Sequence, residues 1–256
     1  MSRGVPSLVL LVFVLVVGLV SLAFPCGVAQ QISDVEFASR IPLPDGIEGP
    51  ESIAFDARNQ GPFTGVSDGR VLRWSDGDGW TPFAHHTVYW NNIEIMLNSD
   101  ATARLMKYDP KTKQVTVLRA GLPYANGVAV SHDGSYVVVA HTGPCQAFRY
   151  WIAGARAGAY ELFADLPGYP DNVRRDAGRG FWVALNREKV QLQPDPAGAA
   201  AAPAKHLVGV RLSGDGDKLE ELSAADGVTL SEIVERGSTL WLGSVELSFI
   251  GLMRQD

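Results

Sequence analysis

A pattern of short strands that returns about every 40 residues constrains this chain more than any other feature. Three apolar runs that follow turn residues read as one element used three times. They are Val137-Val138-Val139-Ala140 after Asp133-Gly134-Ser135, Phe181-Trp182-Val183-Ala184 after Gly178 and Gly180, and Leu240-Trp241-Leu242-Gly243 after Gly237-Ser238. A second element precedes each of these: Asn126 to Val130, Asp171 to Arg174, and Ser231 to Val234. A third lies between successive copies of the pair: Leu105 to Tyr108, Ala147 to Tyr150, and Val208 to Arg211. A repeat of this length with several strands predicts a propeller blade, because a small twisted sheet buries both faces only when neighbouring blades are stacked on it. A β-sandwich has similar strand spacing, but the repeats match in order and register, which favours the propeller.

The N-terminal half follows the pattern less regularly. Glu51 to Phe55 matches the second element and Val71 to Trp74 the third, whereas Thr87 to Ser99 fits neither, and from Ala101 the repeat resumes in mid-blade. The Ala/Pro-rich stretch Pro194 to Lys205 reads as a loop insertion. The expected fold is therefore all-β: a propeller over residues 30–256, incomplete at four to five blades, with an irregular junction near residues 87–99.

Residues 1–29 stand apart. One charge, Arg3, precedes an apolar run from Leu8 to Phe24, and Gly27-Val28-Ala29 offers small residues for cleavage. This is the layout of a secretory signal peptide; the length of the run also suits an uncleaved membrane anchor. Either reading puts the globular part in the secretory pathway, in vacuole, endoplasmic reticulum or extracellular space, and limits any membrane contact to this segment. Cys26 belongs to the segment, so Cys145 would remain alone and stability must come from packing. The net charge of −6 and the lack of a basic run argue against a nucleic-acid partner.

In a propeller the start of each inner strand points toward the central channel. Aligning Ile53, Val128, Val173 and Ile233 puts Glu51, Asn126, Asp171 and Ser231 in one equivalent slot, with Asn172 beside Asp171. Convergent side-chain oxygens suit a hard cation such as Ca²⁺. Asn126 and Asp171 could equally cap the turns before their strands. Trp151, Tyr150, Trp182 and Trp241 read as blade-packing residues.

Several stretches resemble the strictosidine synthase-like proteins of plants: Gly49-Pro50-Glu51-Ser52-Ile53-Ala54-Phe55-Asp56, Leu105 to Leu118, Asn126-Gly127-Val128-Ala129, and Tyr169 to Asp176. The resemblance runs from about Gly49 to Met253 and implies an architecture similar to the six-bladed paraoxonases and related lactonases. It also implies that about one and a half blades are missing between Phe83-Ala84 and Asp100-Ala101. By the same resemblance Glu51, Asn126, Asp171 and Asn172 match the positions of a channel calcium, while a further Asn expected from the absent segment has no counterpart.

The family's catalytic glutamate matches Ser231, and the histidine expected two residues earlier is Thr229. Amine–aldehyde condensation needs a carboxylate to move protons, and serine has none. Strand alternation turns Glu232 away from Ser231. True strictosidine formation is therefore not expected. His141, at the end of the strand from Val137 to Ala140, is the one histidine placed to face the channel mouth. The implied activity is alkaloid-type biosynthesis or calcium-dependent hydrolysis of esters or lactones, on a small-molecule substrate. The alternative is a non-catalytic propeller that binds small molecules or partners, or an inactive truncated isoform.

Overall fold

The computed structural model describes residues 31–85, 100–188, 206–225 and 227–255. The N-terminal segment 1–29, the junction 87–99 and the stretch 194–205 lie outside them. Every regular element among the described residues is a strand. Strands β1 (Gln31–Asp34) and β2 (Ser39–Pro42) open the chain. Strands β3 (Ser52–Ala54), β4 (Phe63–Gly65), β5 (Arg70–Ser75) and β6 (Gly79–His85) form blade I, an antiparallel meander. Strands β7 (Ala103–Asp109) and β8 (Gln114–Leu122) pair only with each other, as a two-strand ribbon. Blade II is β9 (Ala125–Val130), β10 (Tyr136–His141), β11 (Gln146–Trp151) and β12 (Tyr160–Asp165). Blade III is β13 (Gly168–Arg175), β14 (Phe181–Glu188), β15 (His206–Leu212) and β16 (Lys218–Ala224). Blade IV is β17 (Glu232–Arg236), β18 (Thr239–Gly243) and β19 (Phe249–Arg254), completed by β2.

The three recurring sequence elements are the first, second and third strands of these blades. The ribbon matches the third and fourth strands of a blade whose first two have no counterpart among the described residues. The N-terminal strands tie the chain's beginning to its later blades: β2 runs antiparallel to β19, and β1 runs parallel to β16 at the outer edge of blade III.

β14 shows why the second strands are unbroken apolar runs. Phe181, Val183 and Leu185 face one cluster, with Val138, Ala140, Phe163 and Val173, between blades II and III. The alternate residues Trp182 and Ala184 face a second cluster, with Val208, Leu222, Ile233, Leu240 and Leu242, between blades III and IV. Successive side chains on a strand point to opposite faces, so a strand with a blade on each side is apolar at every position. Phe181 and Trp182 are fully buried, each worth roughly 1.5–3 kcal/mol in transfer from water. Trp151 packs beside the first cluster, and Trp241 meets Phe55 edge-on at 5.1 Å, in line with a packing role. Tyr150 tilts against Tyr160 at 6.5 Å, and both Tyr150 and Trp151 also line a groove on blade II.

The turn into β10 is held by Asp133, whose Oδ1 accepts from Ser131 Oγ and from Ser135 N and Oγ. These hydrogen bonds hold its carboxyl at about 2, and Gly134 supplies the left-handed residue at φ 70°.

Candidate functional site

The inner strands bring polar side chains to one end of the axis. β9 lies against β13, β13 against β17, and β17 against β3. Gly127 allows β9 its approach: a Cβ there would fall 2.3 Å from the Asp171 carbonyl oxygen and 2.5 Å from Val173 N. At that spacing Asn126 Nδ2 donates to Asp171 Oδ1 at 2.8 Å and reaches Thr142 Oγ1 at 3.3 Å. Thr142 donates in turn to the Pro170 carbonyl at 2.7 Å. Asn172 donates from its backbone N to Ser231 O at 3.0 Å and from Nδ2 to Glu51 O at 3.4 Å. Ser52 Oγ donates to Glu51 Oε2 at 2.7 Å. Asn126 and Asp171 thus meet side chain to side chain, Asn172 reaches the Glu51 backbone, and the Glu51 carboxylate is near enough to act on the Asp171 charge.

The charge balance there is unusual. The Asp171 carboxyl is pushed up to about 7, first by burial and then by the neighbouring Glu51 carboxylate; the Asn126 hydrogen bond offsets part of this. Tyr124 lies close enough that burial, with the Asp171 charge second, raises its phenol. Among the described residues no three His, Cys, Asp or Glu side chains form a metal-holding group. A cation here would therefore depend on amide oxygens as well. Both Asn side chains turn their NH₂ groups to protein oxygens, which leaves each Oδ1 as an acceptor. Two carboxylates and two amide oxygens, with one carboxyl driven toward protonation first by burial and then by the other, suit a hard divalent ion.

The raised carboxyl has a measurable consequence. Its folded value lies above the unfolded one, so its ionisation favours unfolding, and stability falls as pH rises from about 4 to about 7. Asp171→Asn removes that cost. Allowing for the solvent that reaches this partly exposed group, the cation-free variant should be more stable than the parent by about 2 kcal/mol at pH 7.5. The gain should shrink toward pH 4. Thermal denaturation in chelator across that range checks both the sign and the trend.

The structure adds residues that sequence reasoning did not single out. Glu232 is fully buried and accepts from Arg174 Nε at 3.0 Å and Nη2 at 2.6 Å, and from Ile53 N at 3.2 Å. It links the inner strands of blades III, IV and I. Burial raises its carboxyl despite the Arg174 guanidinium beside it. The expectation that Glu232 turns away from Ser231 is not met, since Ser231 Oγ donates to Glu51 O at 2.7 Å and both residues reach the same edge of blade I. Ser231 precedes β17, where strand alternation has not begun. A signal was present in the sequence: Arg174 and Glu232 sit on equivalent repeat elements, where opposite charges can pair across blades.

The other candidates lie elsewhere. His141 is buried; its Nδ1 faces Pro123 O at 2.6 Å, and its Nε2 faces the Tyr160 hydroxyl. Both ring nitrogens are engaged within blade II and its approach loop, not directed at the channel mouth, and burial pushes the imidazole down. Thr229 Oγ1 donates to Glu246 Oε2 at 3.1 Å and lies 2.9 Å from Ser244 Oγ.

Comparison with known proteins agrees with this layout. Residues 35–74 match the family described as strictosidine synthase-like, N-terminal, and residues 83–155 the family described as strictosidine synthase. Strictosidine synthase-like protein 10 of Arabidopsis thaliana is 30% identical over 319 aligned positions, which cover 81% of this chain and 85% of the relative. Strictosidine synthase-like protein 2 of the same plant is 29% identical over 330 positions, 82% of this chain and 87% of the relative. Both alignments hold more positions than the chain's 256 residues, so these relatives carry internal segments that have no counterpart here. A solved structure described as a "putative gluconolactonase" shares the fold at TM-score 0.53 and 14% identity, over 84% of this chain and 95% of that one. A relative 30% identical and aligned along most of both chains, with the two matching family descriptions, places this protein in the strictosidine synthase-like family.

Proposed function

We propose that this chain is a calcium-dependent member of its family that acts on small esters or lactones, and that it does not carry out amine–aldehyde condensation. The observation that carries this reading is the Glu51, Asn126, Asp171 and Asn172 cluster, with the Asp171 carboxyl at about 7. Carboxylate oxygens of Glu51 and Asp171 and the Oδ1 atoms of Asn126 and Asn172 would hold the ion. When bound, Ca²⁺ supplies Lewis acidity toward a carbonyl oxygen. Asn126 holds the Asp171 carboxyl in place through its Nδ2, and Thr142 holds Asn126. Ser231, at the family's glutamate position, spends its hydroxyl proton on the Glu51 carbonyl and has no acid–base capacity to offer a condensation. Esters and lactones are the substrate class to test first. The proposal includes delivery to the secretory pathway by residues 1–29; a fluorescent fusion retained in the cytosol would refute that part.

The test is a paired measurement of melting temperature and of hydrolysis of p-nitrophenyl acetate and a γ-lactone, in Ca²⁺ and in chelator. Calcium at about a hundred times its dissociation constant should stabilise the fold by about 2.7 kcal/mol, several degrees in melting temperature. Hydrolysis should require the ion, and both responses should disappear in Asp171→Asn. No shift and no chelator effect would overturn the proposal. A second reading, a non-catalytic binding propeller, is favoured by one observation: the rings of His132, His141 and His206 are bonded elsewhere. A calcium shift without turnover would select it.

A further inference from the structure

Blades I and IV leave a groove between them at the end of their strands opposite the Asp171 cluster. β17 opens at Glu232, which reaches Ile53 N, and closes at Arg236, about 13 Å further on. There the turns after β3 and β5 come up beside β18, and a cavity of about 460 Å³ lies among Phe55, Asn59, Trp74, Asp76, Arg236 and Trp241. Its volume and its aromatic walls with a few polar groups are those of a small-ligand site.

The polar groups of this groove are uncommitted. Trp80, Trp151 and Trp182 each donate the indole N–H to a protein oxygen, at 2.7, 3.0 and 2.9 Å. Trp74 and Trp241 do not: among the described residues neither N–H has an acceptor, and neither is shut away from solvent. Arg236 and Asp76 likewise have no ion-pair partner among the described residues. The Arg236 guanidinium stands over the Phe55 ring, 3.5 Å from its centre, which fixes the group without using its N–H donors. Asn59 rides on a turn that is already set, since Asp56 Oδ1 accepts from Arg58 N at 2.9 Å and from Gln60 N at 2.8 Å.

These groups select among occupants. A hydrocarbon chain would cover a guanidinium, a carboxylate and an amide and give none of them a partner. A phosphate would meet Asp76, and an amine would meet Arg236. A neutral pyranose ring satisfies them all. Its C–H face packs against the electron-rich face of an indole, and its neighbouring hydroxyls donate to a carboxylate and accept from a guanidinium fork. We propose that the groove between blades I and IV binds a neutral pyranose sugar, with Trp74 and Trp241 as stacking walls and Asn59, Asp76 and Arg236 reading its hydroxyls. The site is separate from the cation cluster and independent of the hydrolase reading.

The experiment titrates the full chain calorimetrically with cellotriose, mannotriose and chitotriose. Trigalacturonate serves as the anionic comparison and p-cresol as the apolar one. Saturable binding of at least one neutral trisaccharide, one per chain, is expected in Ca²⁺ and in chelator alike. Asp76→Ala, at an exposed turn position, and Trp74→Ala should each weaken it about tenfold or more. Asp68→Ala, in the turn between β4 and β5, should leave it unchanged. Circular dichroism verifies each fold, and Asp76→Ala carries the test if Trp74→Ala does not fold. A trisaccharide that binds more tightly than its methyl monosaccharide identifies a glycan chain as the source. Equal affinity identifies a singly glycosylated molecule, and either result supports the site. Absence of saturable binding by all three trisaccharides overturns the proposal, as does undiminished binding by Asp76→Ala. Tighter binding of trigalacturonate than of any neutral sugar, or of p-cresol alone, overturns it as well.

Discussion

Replacing Arg174 by methionine is expected to destabilise the protein by about 3–5 kcal/mol at pH 7.5, the cost of leaving a buried charge without its partner. Glu232 has no exposed surface, and its carboxylate rests on three hydrogen bonds from Arg174 and one from Ile53 N. Methionine keeps much of the side-chain length but supplies no donor and no charge. Even with Arg174 in place the folded carboxyl sits above its ordinary value, so its ionisation weakens the fold as pH rises. Without Arg174 that value must climb further. The deficit of the variant should therefore be largest at pH 7.5 and contract as the pH falls toward 5, where Glu232 takes up a proton and ceases to be an isolated charge. Urea denaturation of parent and variant at the two pH values tests this. A deficit independent of pH would show that Arg174 contributes packing and not charge. Because Glu232 ties the inner strands of blades III, IV and I, the loss should also loosen the cation cluster and reduce the calcium shift.

Gly127→Ala is expected to cost about 3 kcal/mol, with a fall in melting temperature of roughly 6–12 °C for a domain of this size. The cause is contact, not backbone conformation. The new methyl group would meet Asp171 O at 2.3 Å, Val173 N at 2.5 Å and the Asn172 Cα at 2.7 Å, all backbone atoms of β13. No side-chain rotation can relieve a clash with a strand, so β9 and β13 must separate. The Asn126 to Asp171 hydrogen bond spans that same gap, and its length is set by the approach of the two strands. Calcium-dependent stabilisation should accordingly fall together with global stability. An alanine at Gly134, whose Cβ would meet nothing within 4 Å, is the control: strained at φ 70°, but with the cluster and its calcium response intact. Equal loss of calcium response in both variants would contradict the argument.

The blades were legible because their signal is local. Phe181-Trp182-Val183-Ala184 is apolar at every position because both its faces are covered, and turn residues mark where each run begins. The approach of Asn126 to Asp171 was legible for a related reason: a repeat that closes around an axis carries equivalent positions to equivalent places. His141 was not legible. Its position at the end of the strand from Val137 to Ala140 suggested the channel, but its ring turns back against Phe148 and Tyr160. Neighbours on a strand face opposite ways, and only the packing of β11 and β12 shows which side is interior.

The sequence by itself determined the all-β class and the first three strands of blades II and III, since these follow from period, turn chemistry and alternation along a single strand. Only the tertiary structure decided that Glu232 answers Arg174, that Gly127 governs how near two blades come, and that Trp74 and Trp241 line one groove between blades I and IV. Each of those depends on distances between strands remote in the chain. A hydrophobic pattern records that a face is covered, but not by what, nor how closely.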